Sequence, residues 1–222
     1  MRGAPSAKTA TVIAAGPIGI VHEGRYRLPQ FDRQIAKWTD PVRPRKHTPE
    51  EILRYHYAHL RGAARATGPG KHWGTAIYGQ LDPKIGPQAM TLAYDMSARY
   101  LWFWTSDHGH HVPWPEQLEL AKHLKQHAAK NPRPSVYAPP RQLDTAIVIP
   151  DGWWLELGDL WWVRAVDKDM KNEYAQSYVR LMKRAHAAVH AAMDAKEDFD
   201  FVIDMGQPLT GYRKVVHIRI DP

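Results

Sequence analysis

The densest group of side chains able to do chemistry is Asp107-His108-Gly109-His110-His111, one carboxylate and three imidazoles within five residues. Such a set can ligate zinc or a similar ion, or hydrogen-bond a substrate's hydroxyls, and an exposed polar loop is the third reading. The spacing matches no established ligand signature. Tyr78, Gln80 and Asp82 close and follow the apolar run that begins at Trp73, and Trp102 and Trp104 alternate onto one side of the run Tyr100–Thr105. A pyranose stacks its apolar face on an aromatic ring while its hydroxyls need polar partners, so Trp104 with Gln80, Asp107, His108 and His110 has the composition of a carbohydrate pocket. Core packing is the competing role, more so for Trp102 than for Trp104, which is nearer the strand end. Glu23, in Gly19-Ile20-Val21-His22-Glu23-Gly24, is the only N-terminal carboxylate that follows an apolar run. His186 and His190 have the i, i+4 spacing of a metal-binding pair, but no acidic third ligand lies nearby in sequence, and a solvated helix face is expected.

The elements that must position these groups can be read from caps and periodicity. Thr48-Pro49-Glu50-Glu51 is a capping box that opens a helix, and Ile52, Tyr55, His56, His59, Leu60 and Ala63 give it one buried face. Trp73–Tyr78 reads as a buried strand, Gly79–Gly86 as a loop, and Pro87 onward as a helix carrying Met90, Ala93, Tyr94 and Met96. Tyr100–Thr105 is the next strand, the polar loop 107–114 follows, and Pro115 starts a helix with Leu118, Ala121 and Leu124 on its buried face. Asn131–Gln142, with four prolines, has linker composition. Beyond it come a strand at Thr145–Ile149, an aromatic-rich loop at Gly152–Asp169, a helix at Asn172–Lys196, and strands at Phe199–Asp204 and Arg213–Ile220. The four tryptophans of that loop, Trp153, Trp154, Trp161 and Trp162, are expected to pack against the first unit or a neighbouring subunit.

Helices alternating with near-continuous apolar strands predict an α/β fold with parallel sheets, in which chemistry sits at the carboxyl ends of the strands. The organisation expected is an irregular segment 1–47, an α/β unit 48–130, a linker 131–142 and a second, small α/β module 143–222.

Composition narrows the function. Of 222 residues, 30 are Lys or Arg and 23 Asp or Glu, a net charge of +7. The charges scatter without a block or an RNP-like segment, so no nucleic-acid partner is expected. The absence of cysteine excludes disulfides, thiolate nucleophiles and zinc–thiolate sites. No apolar stretch approaches the roughly 18 residues of a membrane span. Thr9–Val21, after Arg2 and Lys8, imitates a signal peptide but is broken by Gly16-Pro17, and the compartment stays open. No cofactor is expected.

The order of elements, with the words Phe199-Asp200-Phe201-Val202-Ile203-Asp204 and Leu209-Thr210-Gly211-Tyr212-Arg213-Lys214-Val215-Val216, resembles the C-terminal part of family 42 β-galactosidase-like glycoside hydrolases. The resemblance spans about residues 48–222. It implies the end of a (β/α) TIM barrel followed by a partial flavodoxin-like module, with carbohydrate as the partner. Carried over, Trp73–Gln80 matches barrel strand seven and Tyr100–Asp107 strand eight. Strand seven of that clan ends in the nucleophilic carboxylate, whereas here it ends in Gly79-Gln80, and glutamine cannot form a glycosyl ester. Asp107 is then the expected catalytic carboxylate, with Glu23 second and Asp82 beside the substrate. Because a two-carboxylate mechanism lacks a partner, no turnover is expected from this chain alone, which reads as a fragment or degenerate member. A missing first half of the barrel or a second copy of the chain are the other partners this implies. The alternatives are a non-catalytic assembly module and a metal-dependent hydrolase using the 107–111 loop.

Overall fold

The computed structural model describes residues 45–66, 72–77, 83–103, 111–133, 142–151 and 171–219. The elements in order are helix α1 (Pro49–Ala66), strand β1 (Gly74–Ile77), helix α2 (Gly86–Asp95), strand β2 (Tyr100–Phe103) and helix α3 (Trp114–Lys130). Strand β3 (Leu143–Ile149), helix α4 (Glu173–Asp194), strand β4 (Phe199–Ile203) and strand β5 (Tyr212–His217) complete the set. The class is α/β, and all strand pairing among the described residues is parallel.

α1 begins at the capping box: Thr48 N donates to Glu51 Oε2 at 2.8 Å, and Glu51 N donates to Thr48 Oγ1 at 3.2 Å. The expected single buried face is a correction, because α1 is buried nearly all round. Leu53, Tyr57, Leu60, Ala63 and Ala64 join the core formed with Trp73, Ile77, α2 and Leu120. Ile52, Tyr55 and Ala58 join the core of the second sheet. A helix between two cores has no wet side to advertise with polar residues, so its small residues and histidines carry the second interface.

β1 and β2 pair in register from Gly74↔Tyr100 to Ile77↔Phe103. α2 connects them, starting with proline in its first turn and ending at Met96, whose N–H bonds Leu92 O. The short return at residues 96–99 is fixed by Arg99 N donating to Trp73 O at 2.9 Å. α3 departs from expectation: Leu120 is its buried residue and Leu124 is partly buried, while Leu118 and Ala121 face solvent. Leu118 with Ala121 and Leu120 with Leu124 define two candidate stripes, and the one containing Leu120 fits against Gly86 and α2.

The second sheet has order β4-β3-β5, so the first of its strands in sequence lies in the middle. Ile147, Ile149, Phe199, Phe201 and Ile203 alternate onto the face packed by Tyr178, Leu181, Met182, Ala185 and Val189 of α4. Asn172 caps α4 by accepting from Ala175 N at 2.7 Å. Ala146, Val148 and Val202 form the opposite face with Ala66, Leu209 and Tyr212. Residues 204–211 alone carry the chain from the carboxyl end of β4, past β3, to the start of β5. Eight residues span at most about 26–29 Å, which the length of the sheet consumes without a helix.

α1 also closes the outer edge of β4. A Cβ at Gly62 would lie 1.8 Å from Phe201 O, so the helix backbone rests directly on the strand. Arg61 Nη2 donates to Phe199 O at 3.1 Å, supplying a partner to an edge carbonyl that no strand covers among the described residues.

Candidate functional site

β1 and β2 have two unlike faces. Ile77, Leu101 and Phe103 pack into the core made by α1 and α2. By alternation, Tyr100 and Trp102 lie on the opposite face, opposite Gly74 and position 76 in register. An ideal Cβ at Gly74 would meet Trp102 Cζ3 at 3.1 Å and Tyr100 Cβ at 2.7 Å, so the glycine makes room for both aromatic residues. Trp102 and Tyr100 are partly buried, and the Arg99 guanidinium stands 5.2 Å from the Tyr100 ring centre. This face therefore presents an aromatic platform beside a backbone stripped of side-chain bulk.

The chain leaves β1 at Ile77 and β2 at Phe103, adjacent positions at one edge of the pair. Tyr78, Gln80, Asp82, Trp104, Asp107, His108 and His110 are the residues that follow, and all of them, like Glu23, lie outside the described residues. His111 is described and exposed. Among the described residues no group of three His, Asp or Glu side chains could hold a metal ion. Past this edge, Val112 is buried and its carbonyl accepts from Gln117 Nε2 at 2.7 Å, which fixes the entry to α3. Trp114, the first residue of α3, is 67% exposed and stands one turn from exposed Leu118. A cavity of about 350 Å³ opens between Pro83, Pro87 and the Glu116, Glu119 and His123 side of α3.

Two polar constellations escaped the sequence reading. In the first, Arg61 is buried and donates from Nε to Asp200 Oδ1 at 2.6 Å and from Nη2 to Asp198 Oδ1 at 2.7 Å. Tyr212 OH donates to Asp200 Oδ2 at 2.8 Å, and Arg65 lies 3.7 Å from the same oxygen and 4.6 Å above the Tyr212 ring. Burial alone would weaken the Arg61 cation, but Asp200 and Asp198 outweigh it and hold its pKa above the ordinary value. Burial pushes the Asp200 carboxyl up, with Arg61 and Arg65 opposing. These groups satisfy one another in the interior, and their role is to tie α1 to β4 and β5. One sequence signal announces them: a lone carboxylate, Asp200, within the otherwise apolar run Phe199–Ile203, and an arginine, Arg61, followed by Gly62-Ala63-Ala64.

The second constellation corrects the reading of His186 and His190. His186 is buried, not solvated. Its Nδ1 donates to Met182 O at 2.9 Å, which fixes the tautomer, and its Nε2 accepts from Tyr55 OH at 3.0 Å. Burial lowers its pKa to about 3. His190 is partly buried, with its Nε2 3.0 Å from Nε2 of His47. Burial first, then His47 and Arg45, lower its pKa to about 4, with Asp194 and Glu51 opposing. The absence of an acidic neighbour in sequence misled here, because what faces a helix histidine is set by the helix packed on it.

No protein-family model, curated protein or solved structure matches this chain. No helix among the described residues is long and apolar enough to cross a membrane.

Proposed function

We propose that this chain binds carbohydrate at the carboxyl edge of β1 and β2, as a glycosidase-like (β/α) barrel segment, and does not itself hydrolyse glycosides. The observation that carries the reading is the in-register parallel pair with Trp102 over Gly74 on the face away from α1 and α2. In a (β/α) barrel that face is the interior, and the polar residues after each strand surround its mouth. The groups that follow β1 and β2 in sequence, Gln80, Asp82, Asp107, His108 and His110, are hydrogen-bonding partners for hydroxyls, and Tyr78 and Trp104 are further rings for stacking. The strand order of the second sheet supports a partial flavodoxin-like module, since that fold also places its first strand between its second and third.

Hydrolysis needs an acid and a second carboxylate at a defined separation. Of the carboxylates that follow β1 and β2 in sequence, Asp82 and Asp107, the resemblance favours Asp107 for the chemistry, and Gln80 falls in sequence where it calls for a nucleophile. Titration of the purified chain with mono- and oligosaccharides should quench tryptophan fluorescence saturably, and chromogenic glycosides should remain intact. A flat titration over the whole panel would remove the carbohydrate reading, and turnover abolished by Asp107→Asn would remove the non-hydrolytic one.

An assembly role is the second reading, favoured by exposed Trp114 and Leu118 one turn apart on α3. Concentration-dependent association that Trp114→Ser abolishes, without any response to sugar, would support it in place of the first.

A further inference from the structure

We propose that His47 and His190 form an acid-released latch that holds the chain entering α1 against the C-terminal half of α4. The latch is the outer rung of a polar seam between these elements. On the α4 side, His186, His190 and Asp194 recur at four-residue steps, and each meets a different partner. His186 Nε2 bonds Tyr55 OH at 3.0 Å, His190 Nε2 faces His47 Nε2 at 3.0 Å, and Asp194 Oδ1 accepts from Arg45 Nη1 at 2.6 Å. Arg45 also donates to Glu51 Oε1 at 2.5 Å. Among the described residues, the charged and titratable groups around the pair are therefore Arg45 before α1, Glu51, Tyr55 and His59 on α1, and His186 and Asp194 on α4.

Two imidazoles at this distance hold one hydrogen between their Nε2 atoms, one donating and one accepting. A first added proton is tolerated, since an imidazolium still donates to a neutral ring. A second leaves two N–H donors facing each other with no acceptor between them. Among the described residues, the nearby carboxylates Glu51 and Asp194 already serve Arg45, so they turn to the pair only by releasing that cation. His47 is buried, and water does not replace the lost acceptor while the elements stay together. Separation lets both rings charge in solvent, where an imidazole titrates near 6.5. Each additional proton bound on opening raises the open fraction about ten-fold per pH unit through the window from about 6.5 down to about 4, the value to which burial holds His190 in the closed state.

The inner rungs are built differently. His186 donates to a backbone carbonyl and accepts from a tyrosine, and Arg61 grips Asp198 and Asp200 two turns further along α1. Opening is thus confined to the start of α1 and the end of α4.

Hydrogen exchange of the full chain read by mass spectrometry from pH 7 to pH 4, corrected for the intrinsic pH dependence of exchange, tests this. Peptides covering the first turn of α1 and the last turn of α4 should lose protection about ten-fold per pH unit below 6.5, ahead of β3 and β4. His190→Gln, whose amide keeps a donor for His47 but cannot charge, should abolish that step while leaving protection at pH 7 unchanged. His47→Gln should do the same, and in the native chain the imidazole nitrogen resonances of His190 should titrate together with the loss of protection. An unchanged acid response in both variants, or loss of protection in β3 and β4 at the same pH, would overturn the latch.

Discussion

Replacing Gly62 by alanine separates the packing described here from an ordinary helix. In an exposed helix this substitution stabilises by about 1 kcal/mol, because glycine is the poorer helix former. Here the new Cβ would stand 1.8 Å from Phe201 O and 2.7 Å from its carbonyl carbon. A carbon approaches a carbonyl oxygen to about 3.3 Å at closest, so α1 must retreat by roughly 1.5 Å. That movement stretches the Arg61 bonds to Asp200 and Asp198, now 2.6 and 2.7 Å, past hydrogen-bond length and leaves Asp200 buried without its cation. Breaking a buried ion pair on one side costs about 3–5 kcal/mol, so a net loss of about 3 kcal/mol is expected for Gly62→Ala. Urea unfolding followed by far-ultraviolet circular dichroism reads this as a lower midpoint at similar slope. A variant as stable as the wild type, or more stable, would refute the direct contact of α1 with β4.

The other buried polar contacts of α1 give two further predictions. Arg61→Met should cost about 3–5 kcal/mol in urea unfolding, and Asp200→Asn in the same background should recover part of it, because the double variant no longer buries an unpaired charge. Independent additive losses would contradict the coupling. The pH dependence has a definite sign: His186 is neutral when folded down to about pH 3 and titrates near 6.5 when unfolded, so the unfolded state binds the extra proton between those values. Its contribution is complete above about pH 6.5 and declines as pH falls, by up to about 1.4 kcal/mol per pH unit. His186→Leu should flatten the pH dependence of the free energy from urea unfolding by up to that amount, and an unaltered slope would contradict the assignment.

Much of the architecture was written locally. The capping box at Thr48–Glu51, the proline-started α2, the Asn172 cap and the apolar runs of β1 to β4 each specify their element through nearby residues. What escaped depends on partners far along the chain. α1 reads as a one-sided helix until β4, 133 or more residues away, covers its second face. Leu118 and Leu120 offer α3 equivalent stripes, and only the fit against Gly86 selects Leu120. His186 looks solvated in its own segment because Tyr55, its partner, is 131 residues distant. Of the candidate site, the parallel pairing of the strands that carry it was legible, while Gln80, Trp104 and Asp107 belong to segments outside the described residues.

Calorimetric titration of the full chain with oligosaccharides, alongside Trp102→Ala, Trp104→Ala and Asp107→Asn variants with wild-type circular dichroism, tests carbohydrate binding at the β1–β2 edge most directly. Saturable binding to at least one sugar is expected, weakened at least ten-fold by each tryptophan variant and measurably by Asp107→Asn. Binding that all three variants leave intact, or none to any sugar offered, would contradict it.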